Sequence, residues 1–220
     1  MRLKKFIVTQ GIIVSTFAKK IPGGAGFASL IKLGKDGTTF QSIGRRDFEK
    51  ATKNLSKDAK ALATGYSNAI NSNRMHRVEV VKRGENLSKA ATQISSGDKT
   101  ASAFDEHNAG GICRPYAADG FENPEKGDLS VIVMDSKYAS SEELAAHEIL
   151  GHGANGANGI GTYENQVNAV QATNVYRRAI GNMQQRGLGG GHGDPNQIEN
   201  NPSYNQRAND YPLNMIFPFR

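Results

Sequence analysis

The chain has 220 residues, enough for one domain with its own core plus appendages. An apolar fraction of 37% and a charged fraction of 22% suit a soluble globular protein, and 25 glycines point to long loops around a modest core. No apolar run reaches the roughly 18 residues of an ordinary transmembrane helix. The single cysteine, Cys113, excludes both an intramolecular disulfide and a cysteine-rich zinc site, and reads as a small buried residue.

The net charge of +6 is unevenly spread: residues 1–60 hold 13 Lys/Arg against 4 Asp/Glu, and residues 61–220 hold 14 against 17. Residues 1–44 therefore read as a basic N-terminal arm. Such an arm suits an anionic partner or a plain solvated segment. Its first residues, MRLKK followed by FIVTQGIIVSTFA, have the layout of a secretion signal, interrupted by Thr9 and Gln10. The competing reading is a first strand or helix packed on the domain.

Residues 21–45 carry Gly23, Gly24, Gly26, Gly34 and Gly37 and are expected to be irregular. From Asp47 to about Ile70, Phe48, Ala51, Leu55, Ala59, Leu62 and Tyr66 recur at helical spacing, which predicts one helix ended by Asn71-Ser72-Asn73. Arg77–Val81 reads as a strand, Leu87–Ile94 as a short helix, and Ile112–Tyr116 as a short strand. Residues 129–134, LSVIVM, are the clearest strand signal, with a free edge to bind an extended peptide or, alternatively, an interior position. Ser140 and Glu143 form a capping-box pattern opening the next helix. A Gly/Asn run follows, and a second helix is expected over about Tyr163–Asn182, with Val167, Val170, Val175 and Ile180 on its apolar side. Residues 187–220 read as an irregular C-terminal tail.

The chemistry lies in the run AAHEILGHG. Two imidazoles on adjacent helical turns can grip one zinc ion, and a Glu beside the first can take a proton from water. His147 and His152 are the metal ligands of this reading and Glu148 is its general base. The usual spacing is four; here it is five. On a regular helix five residues turn roughly 500°, leaving the side chains about 140° apart. A π-bulge adds the residue that closes this gap, and Gly151 sits where it would fall and tolerates the altered backbone.

His147-Glu148-Ile149-Leu150-Gly151-His152 resembles the HExxGH variant of the zincin motif known from the dipeptidyl peptidase III family. The wider stretch over about residues 76–186 resembles small zinc protease domains of bacterial effectors and Rhs-type toxins. In those a strand leads into the His-Glu helix, and a second helix supplies a Glu ligand before an Asn-x-x-Arg-like signature, here Asn174-Val175-Tyr176-Arg177. The resemblance implies an α+β zincin-like fold, a small sheet packed on an active-site helix and a second ligand-bearing helix, over residues 45–186. It implies zinc as the cofactor and Glu164 as the third ligand. The family position falls nearer Gln166, but Glu164 is the only carboxylate between His152 and Asp194. Tyr176 and Arg177 are candidate donors to a transition-state oxyanion; the alternative is that Tyr176 packs and Arg177 pairs with a carboxylate. His192, in a Gly-rich loop, is either a further ligand or an exposed loop residue. His76 and His107 read as structural.

The expected function is zinc-dependent peptide-bond hydrolysis by a secreted bacterial effector or toxin protease. It would act on a protein or peptide substrate, with an immunity or delivery partner; a cytoplasmic location is the alternative. Two other classes compete: a non-catalytic metal-binding module, and a basic protein binding nucleic acid (a partner the sequence disfavours) or the cell envelope.

Overall fold

The computed structural model describes residues 22–32, 40–72, 75–81, 111–116, 129–135, 142–154, 163–186 and 207–217; in the strands and at 163–166 only the backbone is described. The expected Leu87–Ile94 helix, the Ser140 cap and His192 lie outside these residues.

The expected single helix over 47–70 is two helices, α1 being the short turn Ala25–Ala28, α2 Arg45–Thr52 and α3 Lys57–Asn71. The break has a local cause. Thr52 Oγ1 donates to the Phe48 carbonyl at 2.8 Å, and the Ser56 side chain accepts the Ala59 N–H at 3.2 Å, which caps a new helix start. The apolar spacing runs on through both helices: α2 buries Phe48 and Thr52, and α3 is buried nearly all round from Ala59 to Asn68, with only Lys60 excepted. Phe27 of α1 meets Phe48 of α2 edge-on, with ring centroids 6.2 Å apart.

Strands β1 (Met75–Val81), β2 (Gly111–Tyr116) and β3 (Leu129–Asp135) follow. β3 is central, parallel to β1 and antiparallel to β2. The expected free edge at 129–134 is therefore absent: both sides of that backbone are paired, which removes the basis for peptide addition there. Helix α4 (Glu142–Ala145) runs into a π-helix over Ala146–Gly153. Helix α5 spans Tyr163–Ala179. It ends earlier than expected, at Gly181, where φ is +79° and the Asn182 and Gly181 N–H groups bond the Arg177 and Arg178 carbonyls at 2.8 and 3.0 Å. Val167, Val170 and Val175 are buried as the spacing requires, but Ile180, beyond the helix end, is 40% exposed.

The fold class needs correction. The α+β zincin-like arrangement is not found: the core of the described residues is helical, and no zincin-like fold is identified. Among residues whose burial is described, the core is built from helices and the segments beside them. Phe48, Leu62, Tyr66, Ala145, Leu150, Ala172 and Val175 are central to it. Phe27 and Ile43, placed by the sequence in the arm, share this core, as do Ala208 and Met215 from the expected tail. Asn68 Nδ2 holds that last segment by donating to the Asn214 and Phe217 carbonyls at 2.8 and 2.7 Å.

Gly151 is where the π-helix meets α5. A Cβ there would collide with Ala169 Cα and stand 3.0 Å from Ala169 N and Cβ. The glycine is thus required by close approach of two backbones, not by the wide turn itself. Gly151→Ala must push α5 away, and the expected cost of such overpacking is roughly 1–3 kcal/mol, or a melting point lower by roughly 2–12 °C. Thermal unfolding of the variant checks this; an unchanged melting point rules out the close approach.

Candidate metal centre

The π-helix carries His147, Glu148 and His152 together. Its i→i+5 pattern sets residues five apart on successive turns. The rings of His147 and His152 lie with centroids 5.0 Å apart and planes at 82°. His147 is buried and His152 half-buried. The structure thus brings the two imidazoles together across the five-residue spacing, by a π-helix two turns long where one bulge was expected.

Helix α5 backs this segment. His147 Nδ1 lies 3.0 Å from Thr173 Oγ1, and the Thr173 hydroxyl donates to the Ala169 carbonyl at 2.9 Å. Pairing of 147 with 173 and of 151 with 169 makes the two helices antiparallel. Arg186 Nη1 stands 3.5 Å from His147 Nδ1. The Arg186 backbone is clamped by the buried Asn174, whose Oδ1 accepts the Arg186 N–H at 2.7 Å and whose Nδ2 donates to the Arg186 carbonyl at 2.8 Å. Sequence reading missed Arg186, Thr173 and this use of Asn174; only the contact between helices reveals them.

Glu148 is 3% exposed, and its Oε2 has no hydrogen-bond partner among the described residues. Burial pushes its carboxyl up to about 8, against the pull of the Arg186 guanidinium. A buried carboxyl with one oxygen unpartnered is an electrostatic cost that a bound cation would offset. Among the described residues no group of three or more His, Cys, Asp or Glu is gathered to hold a metal.

The expected oxyanion donors Tyr176 and Arg177 stand on α5 one turn beyond Thr173 and are bonded to α4. Arg177 Nη2 donates to Glu143 Oε1 at 2.8 Å and its Nη1 to the Gln184 carbonyl at 3.2 Å. Tyr176 is buried in the core and hydrogen-bonds Glu142, and burial first, with Glu142 and Glu143 nearby, pushes its hydroxyl up to about 12. Both side chains are thus held by α4 carboxylates. Glu164 stands in the first turn of α5, five residues before Ala169. Five residues leave that position about 140° from the line of Ala169, whereas positions 165 and 166 share the side that meets the π-helix. The side chains of Glu164, His76 and Cys113 lie outside the described residues, as does His107 altogether.

No family model, no curated protein and no solved structure matches this chain.

The Glu148 environment has a pH signature in metal-free protein. Its folded value lies above the unfolded one, so between about 4.5 and 8 the unfolded chain has lost a proton that the folded chain keeps. Stability therefore falls as pH rises through that window, and the loss is complete above it. Glu148→Gln should flatten this part of the curve. Denaturant unfolding of both proteins in chelator at pH 5 and pH 8.5 measures it; parallel curves contradict the buried carboxyl.

Proposed function

We propose that the π-helix site is a zinc-dependent hydrolytic centre acting on peptide bonds. The observation that carries the reading is the 5.0 Å approach of the two imidazoles across a five-residue spacing, with the buried carboxyl of Glu148 between them in sequence. The donor set fits zinc, which takes imidazole nitrogen and carboxylate oxygen in a site that keeps one position open. His147 and His152 are the first two ligands. The third is assigned to the first turn of α5, where Glu164 is the only carboxylate.

A zinc ion held there supplies Lewis-acid polarisation of the scissile carbonyl and lowers the pKa of water to about 7. Glu148 does the proton work. It takes a proton from water as the water oxygen attacks the carbonyl carbon. It then delivers that proton to the amine nitrogen as the C–N bond breaks.

The resemblance of the motif to effector and toxin proteases extends the proposal to a secreted protein with protein targets and a delivery or immunity partner. Among the described residues no helix is long and apolar enough to cross a membrane. One observation favours a second reading, a metal-binding module without turnover: position 164 stands off the side of α5 that meets the π-helix.

Elemental analysis should find about one zinc per chain, as one three-ligand site requires, and the double variant His147→Ala/His152→Ala should lose it. Undiminished zinc in that variant overturns the site. Glu148→Gln should keep zinc and lose roughly 10²–10⁴-fold in peptide turnover; equal turnover favours the inert module. Glu164→Ala tests the third ligand, and Gln166→Glu should tighten zinc if the neighbouring position is the one in reach.

A further inference from the structure

We propose that Thr173 is a positioning residue of this site: its hydroxyl fixes His147 in the tautomer that carries hydrogen on Nδ1 and leaves the Nε2 lone pair for a metal. The inference deepens the zinc reading, but its first half, the tautomer, stands in the metal-free protein.

The argument is a count of hydrogens. Thr173 is fully buried on α5, and its hydroxyl has one hydrogen. The Ala169 carbonyl, 2.9 Å away, has none and can only accept, so the hydroxyl hydrogen goes there. What Thr173 Oγ1 then offers His147 Nδ1, at 3.0 Å, is a lone pair. The Nδ1 atom must supply the hydrogen of that bond. In a neutral imidazole the other nitrogen, Nε2, then carries the lone pair that a zinc ion needs. Arg186 Nη1 also faces Nδ1, and it is a donor only. It competes for Nδ1 as an acceptor, but at 3.5 Å against 3.0 Å it is at the outer limit of a hydrogen bond and Thr173 prevails.

A hydroxyl bonded to the carbonyl four residues back is ordinary for a threonine inside a helix and by itself signals nothing. What sets Thr173 apart is that its remaining lone pair meets a ring nitrogen of the proposed ligand. The same turn of α5 also meets the π-helix through Ala169, where Gly151 admits the backbone contact. The Thr173 acceptor is therefore held at a fixed depth relative to His147. A partner that fixes ring orientation in this way typically contributes 10–100-fold to metal affinity.

The test uses the full chain with ¹⁵N-labelled histidine. In chelator, two-bond proton–nitrogen NMR should show His147 with hydrogen on Nδ1. Thr173→Val keeps the side-chain shape and removes the acceptor. It should abolish the preference for that tautomer and weaken zinc binding by roughly 10–100-fold, while Thr173→Ser restores both to near wild type. If the metal-free wild type carries the hydrogen on Nε2, the proposal is wrong, whether or not the valine variant folds. It is equally overturned if Thr173→Val retains both the tautomer and full zinc affinity. A protein that has the Nδ1–H tautomer, responds to Thr173→Val in the NMR signal, and binds no zinc upholds the positioning role and overturns the zinc centre instead.

Discussion

The contact between Gly151 and Ala169 sets the distance between the π-helix and α5, and most of the site follows from it. With no Cβ at 151, the two backbones come closer than any pair of ordinary side chains permits. Four residues back along the π-helix and four residues on along α5, the same approach delivers His147 to Thr173. One more residue past Gly151 on the wide helix brings His152 beside His147. A narrower helix would separate the two imidazoles, and a larger residue at 151 would separate the helices. At the neighbouring residue Leu150, Gly65 of α3 leaves room for Leu150 and Met215, whose nearest atoms would stand 3.3 and 3.0 Å from a Cβ there. The π-helix thus packs on both α5 and α3 where a glycine removes a side chain.

A chain with so modest an apolar fraction needs other means of holding its segments, and side-chain amides supply them. Asn71 bonds both the N–H and the carbonyl of Ile43, which seats the segment before α2. Asn214 donates to the Leu150 carbonyl within the π-helix. Asn174 reaches Arg186 and also the Ala208 carbonyl at 3.0 Å. Arg178 joins Asp58, which accepts from the Tyr211 hydroxyl as well, so α5, α3 and the C-terminal segment meet at one carboxylate. Each of these amides bonds backbone groups of another segment, at a net contribution of roughly 1 kcal/mol per bond. This is why segments that look like appendages belong to the core.

Legibility divides along the same line. Local signals are legible: the three strands, the second helix, and the demand for an extra residue between His147 and His152. What was not readable depends on which surfaces meet. The apolar spacing continues across the break at 53–56, and the capping role of Ser56 is a single short-range bond. The strand at 129–134 looked the same as an edge or a centre, since its neighbours come from 75–81 and 111–116. Gly151 was noticed for its backbone freedom, while its reason is a helix that begins ten residues after the π-helix ends. The α+β expectation came from strand signals and a resemblance, whereas the described core is helical. Asparagines are routinely taken as loop residues, and nothing in a single sequence marks Asn174 as a clamp.

The distribution of charge around the histidines separates structural from chemical groups. Arg177 and Arg178 are met by Glu143 and Asp58, pairs that hold helices in register. Glu148 is different: it is buried with one oxygen unpartnered, and burial outweighs the Arg186 guanidinium in setting its protonation. A fold gains nothing from burying a carboxyl in this state, because the same position filled by an apolar residue of similar size would remove the desolvation cost. In the proposed function that cost would be offset by a group that is not part of the chain. A cation bound by the neighbouring imidazoles would reverse the local balance and favour the carboxylate. In the proposed zinc centre the electrostatic defect at Glu148 and the pairing of His147 with His152 would be two aspects of one requirement, met by the π-helix backbone.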